Sequence, residues 1–278
     1  MKKHTLFILL FISSFTMYAQ AIHEEDKYVP ETDPLVLEKI SQWQDIKFGL
    51  LMHWGPYSQW GVVESWSICP EDYGWCERKK GKNPQNYTEY VKEYEGLKTT
   101  FNPTKFDPEK WAKAAKKAGM RYMIFTTKHH DGFSMFDSKY TDYKITDKAS
   151  GFSKNPKANI TKELFNAFRK ENMWVGAYFS KPDWNHKSYW DPYFPPFDRN
   201  VNYNPALYPE KWKKFTDFTH NQILELMTDY GNVDILWLDG GWVKKRDKKN
   251  LDENYAEKFA ENKSGNGFIK HRMVTQNI

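Results

Sequence analysis

The strongest constraint on the fold is a unit that recurs along the chain: an amphipathic helix, a glycine or asparagine stop, and an apolar strand ending in polar residues. Asp107-Pro108 opens the clearest copy. Asp is a good N-cap and Pro suits the first helical position. Trp111, Ala112, Ala115 and Ala118 fall on one face at helical spacing, and Gly119 ends the helix. The strand Tyr122 to Thr127 follows and runs into Lys128, His129, His130 and Asp131. A second copy starts near Thr161, with Leu164, Phe165 and Phe168 on its face, and leads to the strand Trp174 to Phe179. A third starts at Pro209, with a stripe of Trp212, Phe215, Ile223, Leu226 and Met227. Gly231 closes it, and the strand Val233 to Leu238 runs into Asp239-Gly240-Gly241. An earlier strand, Phe48 to Met52, ends in His53-Trp54-Gly55, and Arg272 to Gln276 reads as a fifth.

Helices alternating with near-continuous apolar strands imply a parallel sheet covered by helices. Polar residues at the C-terminal strand ends suit a (β/α)8 barrel, where that end carries the site. A doubly wound sheet obeys a similar rule, but no Gly-rich phosphate loop follows the first strand. The expected class is therefore α/β, a (β/α)8-like (TIM-type) barrel, incomplete in this chain because about five strands are visible where eight are needed. Two long connections, Ser58 to Phe101 and Lys181 to Pro209, fall on the same face as those polar ends. Long loops in compact domains are commonly functional. The first holds Glu64, Trp66 and an expected helix near Tyr87 to Leu97. The second carries the aromatic run WNHKSYWDPYFPPF.

The remaining features bound location and partners. Lys2 and Lys3, the apolar run Leu6 to Phe15 and Ala19-Gln20-Ala21 form the pattern of a cleaved signal peptide over residues 1–21. The expected location is secreted or periplasmic, with residues 22–278 as the mature chain. No stretch is long and apolar enough for a membrane span. A formal net charge of +5 is too mild to imply nucleic acid, and Lys244 to Lys249 reads as a solvated loop. Cys69 and Cys76 either close a small disulfide loop or stay free thiols.

Histidines and carboxylates at several strand ends call for a metal or for acid–base work on a polar substrate. Among His53, Glu64, Trp66, His129, His130, Asp131, Tyr178, Asp183, Trp184, Trp237 and Asp239, three histidines and an aspartate could ligate zinc. Against that, successive strand residues point to opposite faces, so His129 and His130 would not both reach one ion without a turn. No metal and no cofactor is expected. No G-x-S-x-G motif offers a serine nucleophile. Asp239 has room beside Gly240-Gly241 and an apolar neighbour in Trp237 on the same strand face. Asp before Gly also caps turns, and the residue pattern leaves both open.

The stretches FGLLMHWGPYSQWGVVESWS, FNPTKFDPEKWAKAAKKAGMRYMIFTTKHHDGFSMFDSKYTDY, WVGAYFSKPDW and DILWLDG closely resemble the α-L-fucosidases of glycoside hydrolase family 29, from about Trp43 to Trp242. The resemblance implies that residues 22–278 are a glycoside hydrolase catalytic domain, a retaining exo-glycosidase that removes terminal α-L-fucose from fucosylated oligosaccharides or glycoconjugates. Asp239 matches the nucleophile. His53, His129 and His130 match residues that hydrogen-bond the fucose hydroxyls; Glu64 and Trp66 match the loop pair lining the pocket; Tyr178 and Trp237 match its remaining wall. If the chain turns at Asp131-Gly132, both histidines face the pocket and Asp131 orients an imidazole. A retaining enzyme also needs a general acid about 5 Å from the nucleophile. The family places it downstream of the nucleophile strand, and no residue here matches; Glu253, Glu257 and Glu261 do not fit the motif. The chain is therefore expected to be C-terminally truncated, without the usual C-terminal β-domain. The alternative is an inactive, fucose-binding homologue.

Overall fold

The computed structural model describes residues 30–243. The expected leader, the Lys244–Lys249 run, Glu253, Glu257, Glu261 and the expected strand Arg272–Gln276 lie outside them.

Helix α1 (Pro34–Ile46) opens the described chain, and the Asp33 side chain accepts from Leu35 N. This helix was not anticipated from the sequence. Strand β1 (Gly49–Met52) follows. Then comes a long connection with three short 3-10 turns at Pro56–Gln59, Trp66–Ile68 and Gly74–Cys76 and the helix α2 (Tyr87–Thr100). Helix α3 (Pro108–Lys117) is capped by Asp107, whose side chain accepts from Lys110 N. Gly119 sits beyond it at φ +86°, a helix-terminating conformation that favours glycine. Strand β2 (Tyr122–Lys128), helix α4 (Ile160–Lys170), strand β3 (Trp174–Ser180), helix α5 (Pro209–Thr228) and strand β4 (Ile235–Asp239) complete the order. On α5 the buried stripe runs through Phe215, Phe218, Gln222 and Leu226. Met227, expected in it, is one position round the helix and exposed.

All neighbouring strands pair in parallel, in the order β1-β2-β3-β4. A doubly wound sheet reverses its order at a switch point; this one does not, so the architecture is part of a (β/α)8 barrel. Met123 and Phe125 of β2, and Val175, Ala177 and Phe179 of β3, belong to one apolar cluster with Ala112 and Ala115 of α3 and Leu164, Phe165 and Phe168 of α4. Those alternate strand positions face the helices. The other set, with Thr126, Tyr178 and Trp237 in register across β2, β3 and β4, lies on the opposite face. A second cluster lies under the long loops and includes Tyr57, Tyr90, Tyr94, Trp184, Tyr189, Trp190 and Phe215. It ties both connections to the C-terminal ends of the strands.

Candidate active site

The end of β2 explains how two successive histidines reach one place. Pairing with β3 slips by a residue between Thr126 and Lys128, which leaves Thr127 as a bulge. Bulges redirect the side chains that follow. The Thr127 hydroxyl donates to Tyr178 O (2.7 Å) and Met135 N donates to Thr127 O (2.8 Å), so the irregular backbone is held from both sides. The chain then turns, with Gly132 N donating to His129 O and Gly132 at φ +79°. The His129 and His130 rings end 4.2 Å apart. The turn considered at Asp131-Gly132 is thus present, and the bulge before it ends strand alternation, so the two rings are not held to opposite faces.

Lys128 and Asp131 do not enter the pocket. Lys128 is fully buried, donates to Asp183 Oδ2 at 3.1 Å and lies 4.3 Å from the Phe179 ring centre. Burial lowers its pKa, and the Asp183 carboxylate resists that. Asp131 was expected to orient an imidazole. Instead it accepts from Tyr94 Oη (2.7 Å) and Phe133 N (3.2 Å), and so anchors α2 to the turn. Burial pushes its pKa up to about 6, against the nearby His129 and the Tyr94 bond.

His53, at the end of β1, comes within 3.7 Å of Glu64, while His129 Nε2 is 2.9 Å from the other Glu64 oxygen. Glu64 has φ +49°, a left-handed conformation uncommon for a non-glycine residue. Burial raises its carboxyl pKa, but the bond and charge of His129, with His53, outweigh that and leave it lowered. Each imidazole is fixed at Nδ1 by a hydroxyl: Ser65 Oγ lies 2.5 Å from His129 Nδ1 and Thr126 Oγ1 lies 2.6 Å from His53 Nδ1. Thr126 also donates to Met52 O at 2.8 Å. A carbonyl only accepts, so the threonine proton is committed there and Thr126 must accept from His53 Nδ1–H. That leaves His53 Nε2 as an unprotonated acceptor, and burial, the largest influence on its pKa, lowers it and favours this neutral form.

Asp239 ends β4 and its side chain is 37% exposed. Oδ1 accepts from Gly240 N at 2.6 Å. Oδ2 accepts from the Tyr178 hydroxyl, which also receives a bond from Ser180 Oγ at 3.2 Å. One Asp239 oxygen therefore caps the turn, and the other is held by Tyr178. Burial, with the Asp239 charge beside it, raises the Tyr178 pKa. His130 Nε2 stands 3.7 Å from Asp239 Oδ2, too far for a hydrogen bond. Among the described residues neither ring nitrogen of His130 has a partner, although the residue is fully buried. Burial, more than any neighbouring charge, holds its pKa well below the usual histidine value.

Trp66, Trp184 and Trp242 surround His130, with ring centres at 5.0, 5.0 and 5.2 Å. Arg199 stacks over Trp66 (4.8 Å) and Trp242 (5.2 Å) and forms a two-pronged pair with Glu71. The Arg199 carbonyl accepts from Trp184 Nε1, Tyr189 Oη and Trp242 Nε1 at 3.2, 2.8 and 3.2 Å. Trp237 lies beside Tyr178 in register and remains 44% exposed. The structure thus gathers His53, Glu64, Trp66, His129, His130, Tyr178 and Asp239, with Trp237 on the same sheet face. Ser65, Thr126, Arg199 and Trp242 were missed as site residues. Ser65 sat between two expected site residues, which was a usable signal; Arg199 had none.

Two groups among the described residues bring metal-type ligands together: His53, Glu64 and His129, and Cys69, Glu71 and Cys76, with the donor atoms of each group within 4.8 Å of one another. Both cysteines are buried free thiols. Their mutual hydrogen bond raises the Cys69 pKa and lowers that of Cys76. Glu71 is already engaged by Arg199. Among the described residues no helix is long and apolar enough to cross a membrane.

A sequence profile of the family described as Alpha-L-fucosidase matches residues 15–278. A putative alpha-L-fucosidase of Caenorhabditis elegans is 29% identical over 225 residues, covering 79% of this chain and 42% of the relative. The structure of alpha-L-fucosidase isoenzyme 1 from Paenibacillus thiaminolyticus is similar at 33% identity and a TM-score of 0.56, covering 81% of this chain and 47% of that one. A GH29 alpha-L-fucosidase from Bacteroides thetaiotaomicron, trapped as a covalent intermediate with 2-fluoro-fucosyl fluoride, aligns at 28% identity and a TM-score of 0.57, covering 89% of this chain and 48% of that one. The chain therefore spans less than half the length of these relatives.

Proposed function

Because the chain belongs to the α-L-fucosidase family, we propose that its pocket takes a terminal α-L-fucose and forms the nucleophile side of a retaining exo-glycosidase site. Asp239 Oδ2 attacks the anomeric carbon, the leaving oxygen departs, and water later cleaves the covalent glycosyl ester. The Tyr178 hydroxyl holds Oδ2 in line before attack. Gly240 N holds the other oxygen, so the carboxylate cannot rotate freely. His53 Nε2 accepts from one sugar hydroxyl. His129 and Glu64 form a bonded donor–acceptor pair for another. Trp66 and Trp237 cover the sugar's apolar C–H surface and methyl group. Substrates of this class are fucosylated oligosaccharides or glycoconjugates, encountered after export directed by residues 1–21.

The observation that carries this reading is His130. A fully buried imidazole without hydrogen bonds forgoes about 1–3 kcal/mol. It stands beside the half-exposed Asp239 carboxylate in a wall of tryptophans. A polyol with an apolar face offers hydroxyls to the imidazole and C–H surface to the rings.

The test is incubation of the chain with an aryl α-L-fucoside and, separately, with 2-fluoro-fucosyl fluoride, each beside Asp239→Ala. An activated aryl group needs little protonation, so the nucleophile is read on its own. Turnover, or a fluorofucosyl mass on the Asp239 peptide, that vanishes in the variant supports the reading. Binding of L-fucose with neither turnover nor labelling would leave a sugar-binding protein only. Secretion of a reporter carrying residues 1–21 tests the export reading.

A further inference from the structure

We propose that His53, Glu64 and His129 also form a site for one divalent transition-metal ion, such as zinc, at the place where the sugar hydroxyls would bind. Metal and sugar would then exclude each other.

Two imidazoles and a carboxylate are a recurrent zinc set that leaves the fourth position open. Ligand atoms around a tetrahedral ion with bonds of about 2.0–2.1 Å stand about 3.3 Å apart. Here Glu64 Oε2 lies 2.9 Å from His129 Nε2 and Glu64 Oε1 lies 3.7 Å from His53 Nε2, and one donor atom from each residue falls within 4.8 Å of the others. At the 4.8 Å limit the set would close by about 1.5 Å to reach that tetrahedral spacing. The sequence argument against a metal concerned the adjacent pair His129 and His130. The structure instead pairs His129 with a histidine from another strand.

The surroundings are as well built as the ligands. Metal-binding histidines ordinarily have their second ring nitrogen held by a hydrogen bond. Thr126 does this for His53 and Ser65 for His129. His53 Nε2 already presents its lone pair, because Thr126 takes the Nδ1 proton. That lone pair faces a Glu64 oxygen at 3.7 Å, an arrangement of two acceptors that a cation or a donor between them would relieve. Ser65 Oγ can accept from His129 Nδ1–H, the tautomer that leaves the Nε2 lone pair for an ion. Side-chain exposure of 25% at His53 and 28% at Glu64 gives the ion a route in.

Equilibrium dialysis against zinc, read by atomic emission, tests this. The background is Cys69→Ser/Cys76→Ser, which removes the other ligand cluster. One zinc per chain is expected there, with loss of that zinc in His53→Asn and in Glu64→Gln. Circular dichroism identifies unfolded variants, and Glu64→Gln keeps the shape of the site. Cobalt substituted for zinc gives a visible band in the background protein that is absent from both variants. No bound zinc in the background protein, or zinc retained by folded His53→Asn and Glu64→Gln, overturns the proposal. L-fucose is then added to the zinc-loaded protein. Displacement supports the shared position. Zinc that depends on His53 and Glu64 but is indifferent to L-fucose upholds the metal site and counts against the sugar reading instead.

Discussion

Gly132→Ala is expected to bring the protein close to unfolding, through a residue that touches no substrate. Gly132 has φ +79°, and an added Cβ would stand 2.1 Å from Asp183 Oδ1. The left-handed backbone costs an L-residue about 1–2 kcal/mol. Asp183 cannot swing aside cheaply. It accepts from Asn185 N (3.1 Å) and His186 N (2.9 Å), and it is the partner of fully buried Lys128. Breaking a buried ion pair on one side costs about 3–5 kcal/mol. The sum is about 4–7 kcal/mol, against a total stability of about 5–15 kcal/mol for an ordinary domain. Urea unfolding followed by tryptophan fluorescence measures it. The decisive comparison is the same substitution in a Lys128→Met/Asp183→Ala background, where only the backbone contribution of about 1–2 kcal/mol should remain. A loss below about 1 kcal/mol in the natural background, or the same loss in both, refutes the reasoning.

Three other outcomes follow from the geometry. Tyr178→Phe removes the donor on Asp239 Oδ2; a hydrogen bond to a charged group is worth about 1.5–3 kcal/mol, so aryl fucoside turnover should fall roughly ten- to hundredfold. Retention of full turnover would show that the tyrosine does not hold the nucleophile. Burial lowers the pKa values of His53, His130 and His186, so the unfolded chain binds more protons than the folded one below about pH 6.5, and stability should fall as pH drops, by about 1.4 kcal/mol per pH unit per proton. Asp131, pushed up to about 6, acts oppositely between about pH 4 and 6 and offsets one of those protons. Urea melts of His130→Gln between about pH 7.5 and 5.5 should show a shallower slope than the parent, and equal slopes would exclude His130 as a source. Thr126→Val leaves His53 Nδ1–H without its acceptor, so the ¹⁵N shifts of His53 should move toward a mixture of tautomers, whereas unchanged shifts would mean that Thr126 does not set the proton's place.

The sheet was legible because parallel strands buried on both faces are written as apolar runs, and their order follows from regular β/α alternation. Asp107, Pro108 and Gly119 marked one helix because capping is local chemistry. The gathering of His53, Glu64, His129 and Asp239 was legible only as far as strand ends share a face. The turn at Asp131-Gly132 that lets the adjacent histidines converge was legible as a possibility, but the Thr127 bulge before it was not, because it is a property of register with β3 and nothing local to TTKHH encodes it. Asp131 was misread for a similar reason: its partner Tyr94 comes from a helix in a distant loop. Asp183 stood among the candidate site residues and is instead half of an interior ion pair with Lys128, since a charged residue in sequence carries no sign of whether its partner waits inside or outside.

Arg199 has a bearing on how such a pocket can change over time. Its guanidinium grips Glu71 from the first long connection, and its carbonyl collects donors from Trp184, Tyr189 and Trp242. The rim is thus one keystone arch rather than three adjustable lips. A transplanted loop that lacked either half of the Arg199–Glu71 clasp would loosen tryptophans supplied by the other segments. Diversification of this rim must therefore proceed by paired exchange, and the two loops should be inherited as a single cassette.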